Sequence, residues 1–318
     1  MIRNKMKGEF QFFNRKKDGT LEPLLDGAVS RNLVVDQFFE CIGSGVNGGA
    51  NGRLGFLITE STSSRGAIRQ FVVGTGSTPP LPTDTSLENE IASSLGVTDY
   101  NNSYSYNEQD DTLTFVVTAT RSFSLGGVIG NISEVGVNFN GAGVWTGNRL
   151  QSRALIQDSQ GDPTTISLGS EDQLVVVYTL TRVCNRSFSG VVNGIGYEGK
   201  LVNYISSGSS MSNGTLNVIN PNSFFRVTDQ DWVFPSFNGG SFPNNSGVNV
   251  DTVDVINPNT KHSRVRLRLP LETGNFDAGL KGIYARNLKV QIKFDEPIMK
   301  TNEDILDIEL FTSFENAP

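Results

Sequence analysis

Apolar and polar positions along most of this chain alternate with a period of two, the repeat of a strand with one buried face, and not with the 3.6 of a helix. Residues 112–120 (TLTFVVTAT) set Leu113, Phe115, Val117 and Ala119 on one face, with Thr114, Thr118 and Thr120 on the other. Residues 174–180 (LVVVYTL) form a near-continuous apolar run, as in a strand covered on both sides. Residues 264–269 alternate Arg264, Arg266 and Arg268 with Val265, Leu267 and Leu269, and residues 288–294 repeat the device with Lys289 and Lys293. In residues 305–310, Leu306, Ile308 and Leu310 alternate with Asp307 and Glu309. The basic outer faces at 264–268 and 289–293 and the acidic one at 307–309 are expected to pair across strands.

Two segments carry helical spacing instead. Residues 31–42 follow Ser30 as an N-cap and place Val34, Val35, Phe38, Phe39 and Ile42 on one stripe. Residues 86–95 follow Thr85, whose Thr85-Ser86-Leu87-Glu88 fits a capping box, with Leu87, Ile91 and Leu95 spaced by four. Stretches rich in Gly, Ser and Asn at 43–52, 98–110, 206–214 and 236–249 read as loops. Val218-Ile219-Asn220-Pro221-Asn222-Ser223 recurs as Val255-Ile256-Asn257-Pro258-Asn259-Thr260, each reading as a strand that ends in an Asn-Pro turn. Two copies fall short of a solenoid. The expected fold class is therefore mainly β: an antiparallel β-sandwich, jelly-roll-like, with two short helices and long loops. Its expected organisation is a basic N-terminal arm and first strand at 1–30, then one domain at 31–318 with an irregular insertion at about 207–260.

Composition narrows the class. Charged residues make up only 19% of the 318, which excludes coiled-coil and long-helix architectures. A hydrophobic share of 37% argues against bulk disorder. The net charge of -7 conceals an asymmetry: within residues 1–17, Arg3, Lys5, Lys7, Arg15, Lys16 and Lys17 face Glu9 alone, a local +5 that leaves the rest at -12. A basic arm on an acidic body predicts an acidic neighbour, such as another copy's body or DNA. The N-terminus lacks the apolar core of a signal peptide, and no apolar run reaches the ~20 residues of a membrane span. Cys41 and Cys184 are expected as free thiols, since two distant cysteines without a secretion signal do not define a disulfide.

Candidate chemistry is sparse. His262 is the single histidine, so any Ser-His-Asp, Cys-His or multi-histidine metal scheme must pass through it, and no orienting partner is legible nearby. Gly43–Gly48 and Gly194–Gly199 both match GxGxxG, but each runs on into strand-like sequence where a dinucleotide site requires a helix. Asp158–Asp162 and Asp229–Asp231 offer oxygens for a cation yet read as turns. Glu134 and Asp158 are a formal carboxylate pair for glycoside hydrolysis; an ion pair between Glu134 and Arg153 is the competing reading. Trp145, Trp232 and Phe237 fall in loops and are the residues on which binding to a host-surface glycan would rest. The expectation is no catalytic, cofactor-binding or metal site. Assembly contacts are placed at Arg3, Lys5, Lys7, Arg15, Lys16, Lys17, Arg264, Arg266 and Arg268.

The order of several local patterns carries a resemblance. Val73-Gly74-Thr75-Gly76-Ser77-Thr78-Pro79-Pro80 precedes Asp84-Thr85-Ser86-Leu87-Glu88; then come the Thr/Val strand at 112–120, Ile132-Ser133-Glu134-Val135-Gly136, Arg153-Ala154-Leu155-Ile156 and Asp172-Gln173-Leu174-Val175-Val176-Val177-Tyr178. Pro297-Ile298-Met299-Lys300-Thr301 follows near the C-terminus. This progression resembles structural proteins of tailed bacteriophages, of the tail fibre, collar and baseplate-associated kind. The resemblance implies a non-enzymatic virion component attached to the tail or neck and assembled in the host cytoplasm. It would form a symmetric ring or trimer, dock to other virion proteins, and need no cofactor, membrane span or nucleic acid.

Overall fold

The computed structural model describes residues 1–43, 68–95, 98–141, 147–201, 224–234, 247–249, 252–259, 261–269, 271, 275–285 and 290–317. The protein is mainly β, with 61% strand and 3% helix, in antiparallel sheets of which the larger curls into a half-barrel.

The N-terminal strand, Ile2–Arg15, organises that larger sheet. Its even positions from Ile2 to Asn14 are buried, whereas Arg3, Lys5, Lys7, Glu9 and Gln11 point to the outer face. One edge pairs along its length with Leu174–Asn185, from Asn4↔Cys184 to Asn14↔Leu174. The other edge is divided among three strands. Leu306–Asn316 runs parallel to it at Ile2–Met6, Ser30–Val34 pairs at Gly8–Phe10, and Leu21–Pro23 pairs at Phe13–Arg15. A close approach makes the middle pairing possible: a Cβ on Gly8 would lie 2.1 Å from the Asn32 side chain. Residues 1–17 are thus no arm. Their alternation of period two buries Met6, Phe10 and Phe12, and the charges concentrate on one face because only that face meets water.

From this hub the sheet extends both ways. On one side Leu174–Asn185 pairs with Thr112–Ser122, which pairs with Asp99–Asn107. On the other, Ser30–Val34 leads through Gly147–Leu155, Glu134–Gly141 and Ile68–Gly74 to Glu90–Leu95. The chain passes from Leu95 on one edge to Asp99 on the other, a reach of at most about 14 Å, which brings the two ends of the curl together. Arg121 donates to the Ser94 hydroxyl across that seam at 2.6 Å. A third arm runs from Leu306–Asn316 to His262–Leu269 and Thr252–Asn259.

A six-stranded sheet, ordered Ser187–Val192, Ile195–Leu201, Val290–Ile298, Leu280–Ala285, Phe224–Thr228 and Gly247–Asn249, shares one apolar core with the larger sheet. Leu113, Phe115, Leu306 and Ile308 from the larger sheet meet Phe188, Val227, Ile283 and Ile292 from the smaller. A second core fills the curl with Phe10, Phe12, Phe38, Phe39, Phe71, Val135 and Tyr178. Between the cores lies a buried polar pair, where Arg182 donates through Nε to Asn4 Oδ1 at 2.8 Å and stacks over the Phe115 ring at 5.4 Å.

Three local expectations are corrected. The helix expected at 31–42 is the strand Ser30–Val34 followed by a helix at Asp36–Gly43. The Ser30 hydroxyl accepts from the Gln157 N–H at 2.8 Å instead of capping a helix. The helix expected at 86–95 is an edge strand at Glu90–Leu95, with Ile91 43% and Leu95 58% exposed; pairing to Ile68–Gly74 overrides spacing by four. The loop expected at 98–110 is largely the strand Asp99–Asn107, whose Tyr104 and Tyr106 pack on the shared core. The expected insertion at 207–260 supplies strands to both sheets where it is described. Of the internal repeat, the first copy lies outside the described residues. The second lies on the strand Thr252–Asn259, with Asn257-Pro258 at its bulge, where a missing N–H is tolerated.

Candidate functional site

The residues expected to make assembly contacts do not converge. Lys7 pairs with Glu9 at 2.6 Å, Lys5 with Glu315 at 3.9 Å, Lys16 with Glu22 at 2.5 Å and Lys17 with Glu171 at 3.0 Å. Arg3 is exposed, and Arg15 donates to the Ser122 hydroxyl at 3.3 Å. Arg266 lies between Asp254 and Glu309 in register and approaches Glu309 at 3.5 Å. Arg268 makes a two-pronged contact with Asp307, at 2.8 and 2.7 Å, which holds that carboxyl below the usual range. The expected cross-strand pairing of the 264–268 and 307–309 faces is therefore present, and Lys293 stands opposite Glu198 in register. The Arg264 side chain and Lys289 lie outside the described residues.

Among the described residues, the most densely built polar cluster surrounds Arg153. Its Nε meets Glu134 Oε2 at 2.9 Å, its Nη1 meets Asp84 at 2.8 Å and its Nη2 lies 3.5 Å from Glu88. Glu134 is fully buried and also accepts from the N–H groups of Gly76, Glu88 and Asn89 at 2.9, 3.1 and 2.8 Å. Glu88 accepts from the N–H groups of Ser77 and Thr78 and from the Thr78 hydroxyl, and those bonds keep its pKa below the ordinary value. Burial alone would lower the Arg153 pKa, but the hydrogen bonds it donates to Asp84 and Glu134, with the charges of those carboxylates, outweigh it and raise the pKa, so the guanidinium stays charged. Both oxygens of Glu134 are engaged, so it clamps the segment 74–89 against Arg153. Asp158 makes its bonds within its own turn, to the N–H groups of Gln160 and Asp162 at 2.9 and 3.0 Å. The ion-pair reading of Glu134 with Arg153 holds.

The remaining candidates resolve into turns and packing. Asn193 and Gly194, at φ 49° and 80°, form the two-residue turn between Ser187–Val192 and Ile195–Leu201; the second glycine motif is a hairpin. The first lies outside the described residues beyond Gly43. Asp231 pairs with Lys281 at 3.1 Å. Trp232 is buried against Tyr284 and Phe234, with the Phe234 ring 4.8 Å away, while Trp145 and Phe237 lie outside the described residues. His262 is exposed opposite Ser313. The Cys184 thiol is buried, and that burial raises its pKa; the Cys41 side chain lies outside the described residues. Among the described residues, no group of three or more His, Cys, Asp or Glu is placed to hold a metal ion, and no helix is long and apolar enough to cross a membrane.

One feature was not anticipated. Beside the hairpin edge, a cavity of about 290 Å³ is lined by Met1, Val191, Phe311, Asp307 and Glu309. The Tyr197 hydroxyl donates to the Glu309 carbonyl at 3.2 Å, joining the two sheets at its base. The signal in the sequence was Asn-Gly between two apolar runs, which marks an edge hairpin but not what lies beside it.

Among the described residues, fold and polar clusters together define a mainly β protein of three sheets, of thirteen, six and two strands, whose neighbouring strands are braced by ion pairs. Comparison with protein families, curated proteins and solved structures returned no match.

Proposed function

We propose that the chain is a non-enzymatic structural component of a tailed phage particle. It attaches to the tail or neck, self-associates in a symmetric ring or trimer and docks to neighbouring virion proteins after synthesis in the host cytoplasm. We also read the two sheets, which share a core, as an elaborated β-sandwich. The observation that carries the reading is the set of strand edges left open among the described residues: Asp99–Asn107 and Ser187–Val192 each pair on one side only. Such edges invite pairing with another chain. The charge clusters support the same reading, because Arg153, Arg266 and Arg268 hold strands and a loop in place.

Mass spectrometry of purified particles, followed by electron microscopy with a gold-labelled antibody fragment against this chain, tests the proposal. Periodic label on the tail or neck is the expected result. A chain that is abundant in the host lysate but missing from purified particles would overturn it.

A further inference from the structure

The geometry points to a strand-acceptor site on the outer edge of Ser187–Val192. Its occupant is an extended segment of another protein, with an apolar side chain entering the cavity and a basic one facing Asp307 and Glu309. The inference deepens the docking reading and rests on it only in taking the partner to be a protein.

The two-residue turn at Asn193–Gly194 makes Val192↔Ile195 the closing, hydrogen-bonded pair of the hairpin. Bonded and non-bonded pairs alternate from there, so the N–H and C=O groups of Val191 and Ser189 point away from Ile195–Leu201. Both residues are exposed, Val191 to 71%. No strand among the described residues pairs on that side. Across the cavity, no strand among the described residues pairs with that side of Leu306–Phe311, because the N-terminal strand begins pairing only at Thr312; the Glu309 carbonyl there is held by the Tyr197 hydroxyl. An added strand therefore finds free backbone donors and acceptors beside a pocket, which is the arrangement that binds extended peptides.

The side chains select the occupant. Met1 and Phe311, each 46% exposed, and Val191 give the cavity an apolar wall. Asp307 and Glu309 give it two carboxylates, and among the described residues no Lys or Arg side chain lines it; Arg268 and Arg266 meet those carboxylates from the neighbouring strand. A strand alternating apolar and basic residues complements both features.

The test uses the full chain and a synthetic peptide of about six residues alternating valine and lysine. Binding is measured by fluorescence anisotropy and located by amide shifts. The peptide is expected to bind with shifts at Ser189 and Val191. Alternate N-methylation of its backbone is expected to abolish binding, and glutamate in place of lysine to weaken it strongly. Val191→Pro removes only an outward N–H at an edge position, where proline is tolerated, and should weaken binding about tenfold while the thermal melt is retained. Glu309→Gln should weaken the valine–lysine peptide and spare a valine–serine one. Equal binding by the N-methylated peptide would overturn the site, whatever Val191→Pro does to folding. A concentration-dependent dimer, lost in Val191→Pro and indifferent to peptide, would replace the foreign strand by a second copy. Failure of the chain to enter particles would leave these binding results untouched.

Discussion

Removing the Arg153 guanidinium would leave the Glu134 carboxylate fully buried with backbone N–H groups as its remaining partners. Breaking a buried pair from one side costs about 3–5 kcal/mol. Arg153→Ala is therefore expected to lower the unfolding free energy by an amount in that range, read from urea denaturation, and to open the segment 74–89 to proteolysis. Replacing exposed Arg3 by alanine should do neither. Tyr178 gives a pH signature. Burial pushes its phenol up to about 12, with smaller opposing contributions from Ser152 and Asn32. An unfolded tyrosine ionises near pH 10, so the folded pKa is the raised one. Stability attached to the neutral phenol is whole below about pH 10 and is lost as pH rises through about 12, by roughly 3 kcal/mol in all. Alkaline unfolding followed by circular dichroism should be shallower in Tyr178→Phe than in the wild type; identical curves would contradict the assignment.

At the scale of the element, the hairpin Ser187–Leu201 depends on two residues with positive φ. Gly194 at φ 80° has open space around its missing Cβ, so Gly194→Ala carries backbone strain alone. That strain costs about 1–2 kcal/mol, measurable by denaturant unfolding. It should also disturb the amide shifts of Ser189 and Val191 before those of the larger sheet. The strands Thr112–Ser122, His262–Leu269 and Leu306–Asn316 were legible by their alternation and Leu174–Asn185 by its apolar run, and the Arg/acid faces declared their own pairing. The segments 86–95 and 98–110 differ from expectation for one reason, which lies in the strands Glu90–Leu95 and Asp99–Asn107 that they contain. Both are edge strands of polar character, and an edge strand has no buried second face to impress a period on its sequence.

For the whole molecule, the decisive element is the N-terminal strand. It joins Leu174–Asn185, Leu306–Asn316, Ser30–Val34 and Leu21–Pro23, and it lends Met6, Phe10 and Phe12 to the core of the curl. Deleting residues 1–17 is expected to yield an unfolded or aggregating chain, seen as loss of the cooperative thermal transition. A deletion variant that melts like the full chain would mean that these residues are peripheral. Sequence alone determined that the protein is mainly β and that acidic and basic faces would brace neighbouring strands. Those properties follow from residue type and local period, which act over a few neighbours. Only the tertiary structure decided that the basic segment is a central strand, that Glu134 is sealed by Arg153 and three N–H groups, and that the hairpin edge opens beside a cavity. Each of these depends on which distant strands meet, and a sheet's pairings are set by long-range burial that no local window of sequence contains.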